Sequence, residues 1–159
     1  MINVDLQQLI QALDAETRRD LERAAERCVA RSADKVLVED LMLGLLERPQ
    51  GLLARVLQDA QVSAGELNAA LQPGIGHSAS RNPVFAPELM QWLQDALLVA
   101  NLELGRSQVG EAALLLALLR NPLRYAGSAY LALLNRLNID RLKAFALSQQ
   151  TQPVAGQST

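Results

Sequence analysis

One cysteine, one histidine and 3% aromatic residues leave this 159-residue chain little with which to do chemistry. The lone Cys28 excludes an internal disulfide framework, and its place on an apolar helical stripe marks a buried thiol rather than a reactive one. Metal sites need clustered ligands, and a single His without an H-E-x-x-H pattern does not supply them. That residue, His77, stands in a Gly- and Ser-rich stretch where a solvated side chain is expected. No G-x-x-x-x-G-K-[ST] occurs, so the sequence holds no P-loop. Lys35 and Lys143 lie in polar contexts, unsuited to a nucleophile–base pair. Glu39 and Asp40 are adjacent and so point to different azimuths of a helix, which excludes an acid/base pair facing one substrate. Trp92 reads as core rather than as a ligand platform. The net charge of −2 lacks the basic excess of a nucleic-acid binder, and the few aromatics offer no stacking platform for single strands. No apolar run reaches the roughly twenty residues that a membrane requires. The start, MINVDLQQL, has neither the basic nor the apolar region of a secretory signal, so a cytoplasmic location is expected.

What is present is aliphatic. Hydrophobic residues make up 50% of the chain, chiefly Leu, Ala and Val, a composition that favours helices. No stretch of four or more residues alternates as a strand. The centre of the chain is Val36–Pro49, VLVEDLMLGLLERP, and it has an echo, VGEAALLLALLRNP, at Val109–Pro122. A helix apolar on nearly every side and only about ten residues long belongs at the centre of a bundle. The duplication predicts two copies of one module.

The flanking segments fit that plan. Leu6, Leu9, Ile10 and Leu13 follow the i, i+3, i+4, i+7 rule and predict a short leading helix, with Asn3 or Asp5 as cap. Asp14 caps a longer helix running to about Arg31, with Leu21, Ala24, Ala25, Cys28 and Val29 as its stripe. Pro49 and Gly51 bracket the turn after the central helix. Leu53, Val56, Leu57 and Ala60 form the next stripe, and Ser63 with Glu66 form an S-x-x-E capping box. Residues 73–85 are expected to link the modules, with PGIGHSASRN, Pro73–Asn82, as their least periodic part. Pro87 suits the first residue of a helix, and Phe85 with Met90 suits a hydrophobic staple. Leu93, Ala96, Leu97 and Ala100 repeat the stripe of the first module, as Tyr130, Leu133, Leu134 and Leu137 repeat Leu53, Val56, Leu57 and Ala60. Asp140 is expected to cap a last helix bearing Leu142 and Phe145, and residues 148–159 to form a C-terminal linker. The predicted fold is all-α: a leading helix (1–13) and two pseudo-repeated four-helix bundles (14–72 and 86–147).

Function is then expected from surfaces rather than from catalysis. The leading helix lies outside both repeats, and two readings of it stand. It packs on the first bundle as a lid, or it packs by one edge and leaves an apolar groove for a partner helix. Burying three or four apolar side chains at about 1.5–3 kcal/mol each supports micromolar binding after an ordering cost of about 2–5 kcal/mol.

Two tandem four-helix repeats, with VEDLMLGLLERP (Val38–Pro49), GEAALLLALLRNP (Gly110–Pro122) and PVFAPELMQWLQDAL (Pro83–Leu97), resemble the double amino-terminal domain of the Clp family of AAA+ unfoldases. The resemblance covers about Asp14–Ser148. Many members carry His in the central motif where this chain has Asp40. Within the family, the leading helix and the pattern Leu6, Leu9, Leu13-Asp14 resemble the ClpV group, the unfoldases of type VI secretion. The resemblance implies a non-catalytic recognition domain without cofactors, ahead of two ATPase rings outside this chain that would bind ATP and Mg and supply the hexamer. It implies a partner, an N-terminal helix of the contracted sheath's large subunit, bound so that the sheath is disassembled and recycled. The residues implied for that groove are Leu6, Leu9, Ile10 and Leu13, with Val84, Phe85 and Leu89 as neighbours and Arg18 at the rim; Phe85 keeps its competing role as a staple. The alternatives are a general Clp N-domain that binds adaptors or unfolded segments, and a small helical enzyme or ligand carrier built around a closed apolar cavity.

Overall fold

The computed structural model describes residues 6–48, 50–77 and 83–151. The expected caps Asn3 and Asp5, and Pro49, lie outside the described residues. The chain forms α1 (Leu6–Ala12), α2 (Ala15–Ala30), β1 (Lys35–Val36), α3 (Val38–Leu46), α4 (Leu52–Ala60), α5 (Ala64–Leu71), β2 (Val84–Phe85), α6 (Pro87–Leu102), α7 (Glu111–Arg120), a 3-10 turn (Pro122–Arg124), α8 (Ser128–Leu134) and α9 (Ile139–Thr151). The fold is all-α, with α2–α5 and α6–α9 as its two four-helix units.

Local chemistry starts most of these helices where the sequence places them. Asp14 accepts from the Thr17 N–H at 2.8 Å and caps α2. The Ser63 hydroxyl accepts from the Glu66 N–H at 3.2 Å at the head of α5. Pro87 is the first residue of α6, where its missing N–H costs nothing. The last helix differs from expectation. Its cap is Asn138, whose Oδ1 accepts from the Arg141 N–H at 3.0 Å, and Asp140 stands inside the first turn. Asn138 holds the place just outside the first turn, from which a side chain reaches back to the free N–H groups. The helical backbone also runs on to Thr151, into the polar stretch where a linker is expected.

The two Leu-rich helices form the centre. Leu41, Met42, Leu43 and Leu45 on α3 and Leu114–Leu119 on α7 are buried. In each unit the first helix lies against the central one, α2 on α3 and α6 on α7. Trp92 is fully buried between α6 and α7, where its indole N–H donates to the Leu114 carbonyl at 2.8 Å. Cys28 is buried, with Sγ 3.4 Å from the Ala33 carbonyl.

Backbone pairing that sequence pattern does not reveal joins the units. β1 pairs with β2 in parallel, Lys35 beside Val84 and Val36 beside Phe85. Leu13 and Val109 form a second parallel bridge. The two are counterparts: Leu13 and Phe85 each lead into a unit's first helix, and Val36 and Val109 each lead into a central helix. The Ala86 N–H donates to the Val36 carbonyl and the Asp14 N–H to the Val109 carbonyl, both at 2.9 Å. Each bridge therefore ties one unit to the other across an approximate internal two-fold. The helices follow suit: α4 packs on α9 and α7, and α5 on α8.

Side chains reinforce the exchange. Glu111, at the start of α7, accepts from the Leu52 and Leu53 N–H groups at 3.1 and 3.0 Å and so caps α4 of the first unit. The N-cap residue of α4 is Gly51, which has no side chain to do this. In the opposite sense, Tyr130 on α8 donates its hydroxyl to Glu39 on α3. Gly110 lies so close to Asp14 that a Cβ there would stand 2.7 Å from Oδ2. The segment after α5 is also tied down. The Gly76 N–H donates to the Arg31 carbonyl at 2.7 Å, and a Cβ at Gly76 would stand 2.8 Å from the Ala33 Cα. Gly76→Ala should therefore destabilise the fold by about 1–3 kcal/mol, read as a lower urea midpoint with unchanged slope.

Burial raises the Glu111 carboxyl above its ordinary 4.5, against the lowering pull of the Leu53 and Leu52 N–H groups and Arg48. Burial likewise raises Asp20 above 3.8, opposed by Arg48 and Arg23. A carboxyl raised in the folded state binds more protons there than in the unfolded chain. Its contribution is complete below the unfolded value and is lost as pH rises through the folded one. Glu111→Gln should therefore flatten the decline in stability as pH rises from about 4.5 towards neutrality, with urea midpoints at several pH values as the measurement. An unchanged slope would show that Glu111 is not the titrating group.

Candidate partner-binding surface

The stripe of α1 is largely spent on the fold. Leu9 is 1% exposed and Leu13 is fully buried, so both are core. Their burial sets α1 on α6 of the second unit, whereas the lid reading had placed it on the first bundle. The reason is the Leu13–Val109 bridge, which draws the end of α1 across to the second unit before α2 begins. Leu6 opens α1, and its side chain lies outside the described ones. Ile10 is half-buried against the core and is the described stripe residue that still reaches the surface. The outer face of α1 is uncharged, with Gln7, Gln8 and Gln11 exposed.

The other implied residues divide. Leu89 is fully buried and acts as core of α6. Phe85 is half-buried and packs on the core, as does Met90, an arrangement compatible with its reading as a staple. Val84 is 60% exposed on β2 and is free to meet a partner. Arg18 is exposed, and its Nε–H donates to the Leu13 carbonyl at 3.1 Å. That bond fixes the guanidinium over the end of α1. The residues that can touch a partner are thus Ile10, Val84 and Arg18, with part of Phe85.

Two clefts lie at the seams between the units. The larger, about 630 Å³, is lined by Asp14, Arg48, Gly51, Arg106, Gly110 and Glu111. Its charges satisfy one another: Arg48 pairs with Asp20, with Glu16 at 3.3 Å and with Glu111 at 3.5 Å. The smaller, about 350 Å³, lies beside Glu39, Ala86, Leu123, Tyr125 and Gly127. Neither has the make-up of the closed apolar cavity expected of a ligand carrier. The Tyr125 phenol is raised by burial and by the adjoining Asp95, and Tyr130 by burial and Glu39, so both stay protonated hydrogen-bond donors at neutral pH.

The carboxylates of the central motif are structural. Asp40 is fully buried and accepts from the Leu37 N–H at 2.8 Å and from Arg31 at 2.6 Å. Glu39 is held by Tyr130. Among the described residues, no group of three or more His, Cys, Asp and Glu is placed to hold a metal ion, and no helix is long and apolar enough to cross a membrane. Sequence reasoning passed over the exposed Leu98 and Leu102 of α6 and Leu123 of the 3-10 turn. The first two were detectable, being one turn apart and off the stripe of Leu93, Ala96 and Ala100.

The fold has close counterparts. The N-domain of ClpV from Vibrio cholerae aligns with a TM-score of 0.84 and 28% identity, over 92% of this chain and 90% of that one. A complex of a ClpV N-domain with a VipB peptide aligns with a TM-score of 0.83 and 29% identity, covering 92% of each chain. A structure with a peptide of the SciI protein, from the Sci1 type VI secretion system of EAEC, aligns at 0.76 and 26% identity, over 90% of this chain and 92% of that one. No curated protein sequence matches the chain. These counterparts are N-domains rather than ATPase modules, and this chain is likewise a non-catalytic repeat domain. The profile of the Clp repeat (R) N-terminal domain matches residues 12–132, and the chain belongs to that family.

Proposed function

We propose that this chain is the substrate-recognising N-domain of a ClpV-like unfoldase. It binds an N-terminal helix of the contracted type VI sheath's large subunit, and ATPase rings outside this chain then disassemble the sheath for reuse. The observation that carries the reading is the likeness, over 92% of each chain at 29% identity, to a ClpV N-domain in complex with a VipB peptide. The site in the cytoplasm, the ATP and Mg, and the hexamer all belong to the same proposal and attach to the assembled unfoldase.

The groove of this proposal runs beside α1. Ile10 and Val84 offer apolar contact, Phe85 a partial one, Arg18 a charged rim, and Leu6 the start of the wall. Leu9, Leu13 and Leu89 act from beneath by fixing α1 and α6. One observation favours the second reading, a general Clp N-domain for adaptors or unfolded segments: two of the four stripe residues of α1 are core, which leaves less apolar wall than a dedicated groove would have.

Titration with a fluorescent peptide from the N-terminus of the sheath large subunit separates the two. Wild type should bind saturably, and Ile10→Glu and Val84→Glu should each weaken binding at least tenfold while leaving the unfolding temperature within a few degrees. Leu9→Glu is the wrong test, because a charge in a fully packed position costs several kcal/mol and unfolds the domain. No binding by folded wild type would remove the sheath reading and leave the adaptor reading.

A further inference from the structure

We propose that the outer flank of α2 is a second docking surface, which takes a short amphipathic helix of a partner bearing a basic residue opposite Glu26. The surface is distinct from the groove beside α1 and does not rest on the identity of the sheath peptide. It follows from the internal two-fold. α2 and α6 are each 16 residues long, and each is entered through a parallel bridge to the other unit. The chain ahead of each bridge lies along a first helix. α1, ahead of Leu13, packs on α6. Pro83, ahead of Phe85, closes a cleft of about 420 Å³ with Ala25, Glu26, Val29 and Ala30 of α2.

The flanks differ in what the sequence can lay on them. On α6 the covering helix buries Leu9 and Leu13. Ahead of Phe85, the positions corresponding to Leu6, Leu9 and Ile10 are Ser78, Arg81 and Asn82. The chain thus carries no second apolar stripe for α2. Val29 remains 36% exposed and Val84 60% exposed, with Pro83 adjoining both the cleft and Val84.

The two-fold also specifies the occupant. The counterpart of this surface is covered, in the same molecule, by a two-turn helix with apolar residues at i, i+3, i+4 and i+7. Charge adds a second requirement. Glu26 lines the cleft and Glu22 stands one turn before it, both exposed and neither in an ion pair among the described residues. A Lys or Arg on the incoming helix meets them, and an acidic helix is repelled.

The probe is an N-acetylated peptide, DLRRLIRALG, which keeps the apolar spacing of α1 and replaces its glutamines by arginine. It is titrated into the full chain with methyl groups labelled for NMR. Saturable shifts should centre on the Ala25, Val29 and Val84 methyls. Glu26→Lys should weaken binding at least fivefold and Val29→Glu at least tenfold, with unfolding temperatures close to wild type because both positions are exposed. A scrambled peptide of equal charge should not saturate. Shifts centred on α1 or α6, equal binding by the scrambled peptide, no saturation, or indifference to both substitutions would each overturn the proposal.

Discussion

Val109 donates its N–H to the Ala12 carbonyl at 2.7 Å and accepts from the Asp14 N–H at 2.9 Å. Those two bonds, with their counterparts between Val36 and the Val84–Ala86 stretch, decide how the two units meet. A strand residue that must pair with the other unit cannot rotate away from it, and the helices on either side are carried along. α4 and α5 then pack against α9 and α8 as well as against their own unit. The caps are shared in the same way, Glu111 satisfying donors of α4 that Gly51 cannot. A buried helix N-terminus left without partners would cost about 1–3 kcal/mol per unsatisfied group. The exchange makes two small bundles into one core.

The buried pair of Arg31 and Asp40 does related work within the first unit. Asp40 is the residue that departs from the His common in the family. Its carboxylate holds the first turn of α3 through the Leu37 N–H and meets the guanidinium at the end of α2. Arg31 also donates to the Gly74 and Lys35 carbonyls, at 3.3 Å each. Three segments thus converge on one ion pair. A buried pair of this kind is poor as a source of net stability but costly to break, since removal of one partner strands the other charge. At this position the chain uses a carboxylate as a structural junction and not as a ligand.

The partner-binding proposal depends on the same architecture. α1 is short, and isolated helices of its length are marginal in water. It is held by burying Leu9 and Leu13 and by the bridge that follows it. What remains at the surface is a narrow apolar edge, with an arginine anchored at its end. The two-fold then raises a question about α2, whose matching flank the chain does not cover with a helix of its own. A domain built from two similar halves carries two similar surfaces, and its leading helix distinguishes them.

Much of this was legible in the sequence. The Leu-rich echo, the Asp14 and Ser63 caps, Pro87 at a helix start and the burial of Trp92 and Cys28 all follow from side-chain type and spacing, which act within a few turns. The cap of α9 was misplaced because Asn138 and Asp140 are both good capping residues, and only the turn geometry chooses between them. The tertiary structure alone decided the parallel bridges, the placing of α1 on the second unit, the capping of α4 by Glu111 and the burial of Leu9, Leu13 and Leu89. Periodicity records which face of a helix is apolar, but not which neighbour will cover it. Between two units so alike, that choice rests on backbone hydrogen bonds, which any residue but proline can make in full and which leave no mark in composition.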